Sequence, residues 1–178
     1  MTATLASVIN AARVFAAKPD TQFPAQRGVL CDSESRVIVA TDGVAMFVSR
    51  PGSGPAIGTV LVPPELEVFE SIEIVGDMLI SGGSVAMKMD ASQFPTWRVA
   101  YRNNSNFEKQ FCYDFYQLEK VAQANIILGC DPKFAGQFII YPDDVGIGRI
   151  KLYGGQAHVM INPLRGIGSN SKWEPFSL

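Results

Sequence analysis

The sequence is poor in the residues that build metal centres and disulfide scaffolds. Its 178 residues include three cysteines, Cys31, Cys112 and Cys130, and one histidine, His158. The cysteines are odd in number, far apart and form no C-x-x-C pair, so we expect buried reduced thiols, as in a cytoplasmic protein. With a single histidine inside an apparent strand and no paired thiols, neither a metal site nor a cofactor is predicted.

The sequence also lacks a long apolar run and a strong excess of one charge. No run approaches the ~20 apolar residues of a membrane helix, and the N-terminus has no basic stretch followed by an apolar one, so neither a membrane span nor a signal peptide is predicted. The net charge is −2, which does not indicate a strongly basic nucleic-acid-binding surface but still permits a local basic patch. Apolar residues make up 47 % of the chain, enough for a packed core.

What the chain does contain is a pattern of helix and strands that occurs three times. In the first unit, Leu5 to Ala16 carry apolar residues at helical spacing. Thr2 or Thr4 is the predicted N-cap of this helix, and Pro19 ends it. The strands predicted to follow are residues 28–31, 36–40 and 44–50.

The second and third units repeat the pattern with little shared sequence. In the second, a helix is predicted from Pro63 to about Ser71, with Leu66, Phe69 and Ile72 on its apolar face. In the third, a helix is predicted over residues 113–124. The strands predicted in these two units are 59–62, 72–75, 78–81, 84–90, 107–112, 125–128, 137–141, 148–153 and 157–161. This order indicates an α+β protein with helices on one face of antiparallel sheets.

A hairpin is indicated most strongly at residues 37–47. Two apolar runs flank Asp42-Gly43, and an Asp-Gly pair in that setting predicts a type I′ turn, which needs positive φ at both central residues.

Three motifs in this chain occur in the order found in one known family. They are Ala40-Thr41-Asp42-Gly43, the segment Ser92-Gln-Phe-Pro-Thr-Trp-Arg98, and the apolar run Val159-Met-Ile-Asn-Pro-Leu-Arg165. Together they resemble bacterial DNA polymerase III β-subunit sliding clamps over residues 1 to about 166. The chain departs from the family after Gly43, where Val44-Ala45-Met46 replaces the usual His-Arg-Leu. It departs again at Asn162 to Gly166, where the family has Met-Pro-Met-Arg-Leu.

The resemblance implies a DNA-clamp-like fold in a shortened form, which favours a phage or mobile-element origin. Residues 1–105 align with the two-unit middle domain of a clamp. Residues 106–166 align with the second half of the last domain, and 167–178 form a C-terminal tail. Clamp rings contain twelve such units, so four copies of a three-unit chain would close a ring by pairing their sheet edges.

In the family, short peptides of polymerases and repair proteins dock in an apolar pocket between the middle and last domains. This chain keeps the segments that build the pocket, and such a pocket suits a Leu/Phe-bearing peptide. For Leu30 and Met46 individually, an ordinary core position is the alternative. Pro163 and Arg165, near a strand end, fit a rim better than a core. By position, the pocket residues are Leu30, Thr41, Gly43, Met46, Pro95, Met160, Pro163, Leu164 and Arg165.

The resemblance also implies non-sequence-specific contact with double-stranded DNA, through basic residues on the helices that line the ring. Arg13, Lys18 and Lys120 are the candidates. The second predicted helix opposes this role, because it carries four glutamates and no base; a solvated outer face is the alternative for that run. The glutamates are Glu65, Glu67, Glu70 and Glu73.

Catalysis is not predicted. Asp42, Cys31 and His158 have no catalytic spacing, and no glycine-rich phosphate loop is present.

The predicted function is a clamp-like processivity or tethering factor for DNA replication or repair proteins. The alternative is a clamp-derived binding module or regulator that does not encircle DNA. In the tail, Phe176 and Leu178 either pack as a local cover or mimic a docking peptide.

Overall fold

The computed structural model describes residues 3–100, 113–137, 139–142 and 147–162. Helix α1 spans Leu5–Arg13 and α3 spans Phe115–Ile127, with a single turn, α2, at Trp97–Ala100. Thr4 is the N-cap of α1, as the sequence predicts, because its hydroxyl accepts a hydrogen bond from the Ser7 N–H at 3.2 Å. α1 ends earlier than predicted; the chain continues through Phe15 and Ala16 in tighter i→i−3 turns.

Within the described residues, ten strands form two antiparallel sheets. The larger has seven strands in the order β4-β1-β2-β3-β10-β9-β8, and the smaller has the order β5-β6-β7. The strands are β1 Val29–Asp32, β2 Val37–Thr41, β3 Ala45–Ser49, β4 Val60–Val62, β5 Glu73–Val75, β6 Met78–Ser81, β7 Ser84–Met87, β8 Ile140–Pro142, β9 Gly148–Lys151 and β10 Ala157–Ile161. The predicted α+β class with antiparallel sheets is confirmed.

The centre of the large sheet is buried on both faces, which explains the continuous apolar run of β2. Alternate side chains such as Ile38 and Phe47 face α1 and α3 in the main core, where the Phe47 ring lies 5.9 Å from that of Phe15. Their neighbours Val39 and Met46 belong to a second apolar cluster that includes Phe94 and lies on the opposite face. Burial on both faces removes the polar-out alternation that marks a half-exposed strand.

The helix predicted over residues 63–71 is wrong. The segment makes a turn at residues 64–65, and beyond it the buried residues alternate, with Leu66 and Val68 in the core and Glu67 and Phe69 exposed. Period-2 burial is the pattern of extended chain. Two serine hydroxyls of the small sheet satisfy its backbone: the Glu67 N–H donates to Ser84 Oγ at 3.0 Å, and the Phe69 N–H donates to Ser81 Oγ at 2.9 Å.

The strand predicted over residues 125–128 is also wrong, because α3 continues through Ile127. Val121, Ala124 and Leu128 form one buried stripe at helical spacing. The side chain of Asn125 is buried and hydrogen-bonded at both polar atoms, since its Nδ2 donates to the Ala135 carbonyl at 2.9 Å and its Oδ1 accepts from the Tyr153 N–H at 2.9 Å. The strand predicted over 107–112 lies outside the described residues.

The first and third predicted units share one sheet. β3 pairs with β10 over five residues, from Ala157 opposite Ser49 to Ile161 opposite Ala45, and α1 packs against α3. Strands from both sides of the boundary placed near residue 105 therefore contribute to one core. The division into a 1–105 domain and a 106–166 half domain stays a prediction.

The thiols differ in burial. Cys31 is buried in the main core, and burial raises the pKa of its thiol to about 12. Cys130 is only half-buried, so the expectation of a fully buried thiol is wrong there. Cys112 lies outside the described residues.

Candidate functional site

The loop between β2 and β3 organises the candidate site. The hairpin is confirmed, but the type I′ turn is not: Gly43 has φ of +87°, whereas Asp42 is not among the described residues with positive φ. The Asp42 carboxylate shapes the loop instead, since its Oδ1 accepts hydrogen bonds from the Val44 N–H at 2.9 Å and the Ala45 N–H at 2.8 Å. Thr41 completes the loop by donating from Oγ1 to the Ala45 carbonyl at 2.8 Å.

Beside this loop lies a groove of about 180 Å³ on the face of the sheet opposite α1 and α3. The cross-strand row Thr41, Met46 and Met160 belongs to this face, because Met46 pairs with both of the others in the sheet register. The groove is lined by a short 3₁₀ turn at Pro24–Arg27, the β2–β3 loop and its strands, the start of α2 with the two residues before it, the residue before β9, and the end of β10 with the residue after it. The lining residues are Gln26, Thr41, Gly43, Val44, Met46, Pro95, Thr96, Trp97, Ile147, Met160 and Asn162.

The segment before α2 forms one wall of the groove and is firmly anchored. Phe94 and Trp97 are buried in the second apolar cluster and hold Pro95 and Thr96 between them. Arg98 fixes the far end, since its guanidinium lies 2.9 Å from Asp32 Oδ1, 2.8 Å from an oxygen of Glu34, and 5.2 Å from the centre of the Trp97 ring. A wall held by apolar burial and ion pairs gives the groove a preformed shape.

Asn162 closes the groove on the side of β10. Its N–H donates to the Val44 carbonyl at 2.9 Å, and its Nδ2 lies 3.4 Å from the Gly43 carbonyl. With Thr41 and Gln26, Asn162 supplies the polar groups of an otherwise apolar lining. An apolar floor with a few placed polar groups is the composition of a site that orients a ligand.

Five of the nine residues predicted for the pocket meet in this groove: Thr41, Gly43, Met46, Pro95 and Met160. Leu30 is buried in the second apolar cluster but does not line the groove. Residues 163–165 lie outside the described residues, as does the tail, 167–178.

Sequence reasoning missed several lining residues. Thr96, Trp97 and Asn162 lie inside two of the three motifs and Val44 directly follows the first, but none of the four is among the predicted pocket residues. Gln26 and Ile147 lie in no motif, and only the tertiary structure brings them to the groove.

The Asp42 carboxylate also faces α3. Its Oδ2 lies 2.6 Å from Lys120 Nζ and 3.2 Å from Gln117 Nε2. Burial alone would raise the pKa of Asp42. The hydrogen bonds from the Ala45 N–H, the Lys120 ammonium and the Val44 N–H, with the Lys120 charge, outweigh it and hold the pKa below its ordinary value.

The three predicted DNA-facing cations occupy different surroundings. Arg13 is half-buried and donates to the carbonyls of Pro63 and Leu66; burial lowers the pKa of its guanidinium, against a smaller opposing effect of two glutamates. Lys120 is buried with Asp42. Lys18 is exposed and lies 5.5 Å from the centre of the Tyr116 ring. A DNA-facing role for the three stays a prediction.

Within the ranges that the structure covers, no group of three or more His, Cys, Asp or Glu side chains is placed to hold a metal ion. None of the helices in those ranges is long and apolar enough to cross a membrane.

Comparison with solved structures identifies the architecture. The chain superimposes on the DNA polymerase III β subunit of Thermotoga maritima with a TM-score of 0.59 at 14 % identity, covering 92 % of this chain and 64 % of that one. It superimposes on the β sliding clamp of Caulobacter crescentus with a TM-score of 0.56 at 13 % identity, covering 90 % and 63 %. A Pseudomonas aeruginosa β subunit gives 0.57 at 14 %, covering 90 % and 64 %.

The fold is therefore clamp-like. The chain spans somewhat less than two thirds of the length of these clamps. No protein-family model matches the sequence, and no curated protein matches it. At this identity the likeness concerns the fold alone.

Proposed function

We propose that this protein is a non-enzymatic tether that holds partner proteins by short apolar peptide segments docked in the groove. The observation that carries the proposal is the meeting of three distant sequence segments around one apolar groove in a clamp-like fold. DNA polymerases and repair proteins are the proposed partners. The tether would also contact double-stranded DNA without sequence specificity.

The lining suits a peptide better than a whole small ligand. The groove volume of about 180 Å³ is below the ~300 Å³ at which small-molecule sites begin, so it would hold anchoring side chains. Met46 and Met160 form an adaptable apolar floor, because unbranched thioether side chains fit varied partners. Trp97 and Pro95 add a rigid wall. Leucine and phenylalanine are the expected anchors, since a few apolar anchors carry most of the affinity at such sites.

Peptide titration tests the groove. Fluorescent pentapeptides carrying leucine and phenylalanine at varied spacing, with serine-substituted controls, would be titrated with the full chain and followed by anisotropy. We expect Met160→Ala to weaken binding of the best peptide about tenfold or more, because it removes part of the floor. Met87→Ala, which truncates an exposed methionine of the small sheet, should leave affinity unchanged. Failure of every peptide to bind, or equal affinity of Met160→Ala and the wild type, would contradict the proposal.

A clamp-derived binding module that does not encircle DNA is the second candidate. It is favoured by the engagement of Arg13 with backbone carbonyls and of Lys120 with Asp42, which leaves less charge for phosphates. Retention on nicked circular DNA through a high-salt wash, with loss from the same DNA after linearisation, would support encirclement, since topological binding survives only on circles. Equal loss from both forms would favour the module.

A further inference from the structure

Asp42 joins two parts of the molecule that are distant in sequence. One carboxylate oxygen accepts from the backbone of the groove loop, at Val44 and Ala45, while the other accepts from Lys120 and Gln117 of α3. The groove lies on one face of the sheet and α3 packs on the other. The carboxylate is therefore a direct connection between the helix and the edge of the groove.

The other restraints on the loop are also hydrogen bonds: Thr41 Oγ1 donates to the Ala45 carbonyl at 2.8 Å and accepts from the Gly43 N–H at 3.0 Å. Gly43 holds a left-handed φ of +87°, and a Cβ at that position would meet only the Gln26 side chain, at 3.8 Å. On the side of β10 the loop carbonyls accept from Asn162, and on the side of α3 Asp42 holds the loop amides. Hydrogen bonds, rather than packing of its own side chain, therefore fix Gly43 at the groove edge.

The charged pair is costly to bury. The Lys120 side chain is 9 % exposed and that of Asp42 15 %, and the attraction between two charges commonly fails to exceed the loss of their hydration. An apolar pair would fill the same space. Unlike an apolar pair, the ion pair fixes how Lys120 is placed relative to Asp42. The Lys120 ammonium is held 2.6 Å from the Asp42 carboxylate and 5.0 Å from the centre of the Tyr116 ring.

We propose that Lys120 is a positioning residue for the groove: through Asp42 it fixes the loop at residues 42–44, so that peptide affinity depends on a side chain that does not itself line the groove. The inference rests on the proposed peptide-binding function, and it also makes a claim about the unliganded loop that holds without any peptide.

Amide hydrogen exchange of the full chain, measured residue by residue by NMR, tests the loop directly. We expect Lys120→Met to accelerate exchange at Val44 and Ala45 at least tenfold, while Lys120→Arg, which keeps the charge, stays closer to the wild type. Gln117→Leu removes one hydrogen bond and leaves the ion pair; it should accelerate the same amides about threefold, and it keeps the test decisive if Lys120→Met does not fold.

The matched control is Lys88→Met, which breaks an exposed ion pair with Asp77 at 2.9 Å and should change none of these rates. The amides of β6, the central strand of the small sheet, report general destabilisation. Unchanged loop exchange in both Lys120→Met and Gln117→Leu overturns the proposal. So does an acceleration in β6 as large as that in the loop, or identical behaviour of Lys120→Arg and Lys120→Met.

Peptide affinity is the second measurement, with the best-binding pentapeptide as probe. We expect about a tenfold loss in Lys120→Met and recovery in Lys120→Arg, and no loss in Lys88→Met. If the wild type binds no peptide, the proposed function fails while the exchange result still decides whether Lys120 fixes the loop. If the wild type binds and Lys120→Met binds equally well, the positioning proposal fails and the function stands.

Discussion

At the scale of single residues, Asp42 makes two kinds of contact, and its place in a turn motif predicts only one of them. The sequence predicts a tight turn at Asp42-Gly43, and the hairpin forms. The mechanism differs, because the carboxylate caps the loop amides and a lysine 78 positions later holds the carboxylate. Local sequence shows the first of these contacts and cannot show the second.

Asp42 should make stability depend on pH in the acid range. The native pKa of Asp42 lies below its unfolded value of about 3.9. The contribution of Asp42 to the free energy of unfolding is therefore complete above the unfolded pKa and is lost as the pH falls through the native pKa. At pH 7 we expect Asp42→Asn to lower the free energy of unfolding by about 3 kcal/mol, because Lys120 loses its buried partner. The difference between the two proteins should shrink as the pH falls through the native pKa of Asp42, since the wild-type carboxylate is progressively protonated there.

Urea denaturation at pH 7 and pH 2 measures this difference. Asp77→Asn is the control, because its ion pair with Lys88 is exposed and should contribute less than about 1 kcal/mol at either pH. A destabilisation of Asp42→Asn that is the same at both pH values would show that the ion pair is not its cause.

At the scale of elements, the second unit shows how a local pattern can mislead. Leu66, Phe69 and Ile72 have helical spacing, but Leu66 and Val68 alternate with exposed residues as in an extended chain. The sequence therefore contains both the helical spacing and the two-residue alternation of an extended chain. The serine hydroxyls of the small sheet decide between them, because they accept the backbone N–H groups that a helix would have satisfied internally.

The β6–β7 turn tests this arrangement. Gly82 and Gly83 both have positive φ, +52° and +90°, so alanine at either is strained by about 1 kcal/mol. A Cβ at Gly82 would also lie 2.5 Å from Phe69 Cδ2 and 2.8 Å from its Cγ, whereas nothing lies within 4 Å of one at Gly83. The Phe69 N–H donates to Ser81 Oγ and fixes the backbone there, so the contact can be relieved only if the ring leaves its present rotamer.

We therefore expect Gly82→Ala to lower the free energy of unfolding by about 1 kcal/mol or more beyond the loss in Gly83→Ala. Thermal or urea denaturation of the two variants measures the difference. Adding Phe69→Ala to Gly82→Ala should recover part of it. Equal stability of the two glycine variants would mean that Phe69 moves aside freely.

At the scale of the whole molecule, the decisive contact is the pairing of β3 with β10. It joins the first and third units in one sheet and places residues 41–46 beside residues 160–162 at the groove. Within the part of the chain that the structure describes, this sheet ends at β4 and β8. Strand edges of this kind favour pairing between molecules.

A ring of four copies remains our proposal for the assembly. Four copies of the 19.3 kDa chain give about 77 kDa, which multi-angle light scattering after size exclusion would detect. A mass of one or two chains at high protein concentration would contradict a four-copy ring. Peptide binding in the groove would be unaffected by that outcome, because every described lining residue belongs to one chain.

The sequence alone determined most of the local structure: the N-cap at Thr4, the hairpin at residues 37–47 and strand 157–161, each set by short-range periodicity and turn chemistry. It also brought five groove residues into one prediction through motifs that resemble a known family. Tertiary structure decided what lies between distant segments. The β3–β10 pairing, the non-helical course of residues 63–71 and the burial of Lys120 against Asp42 depend on which surfaces meet. Local periodicity does not encode contacts between segments that are distant in sequence.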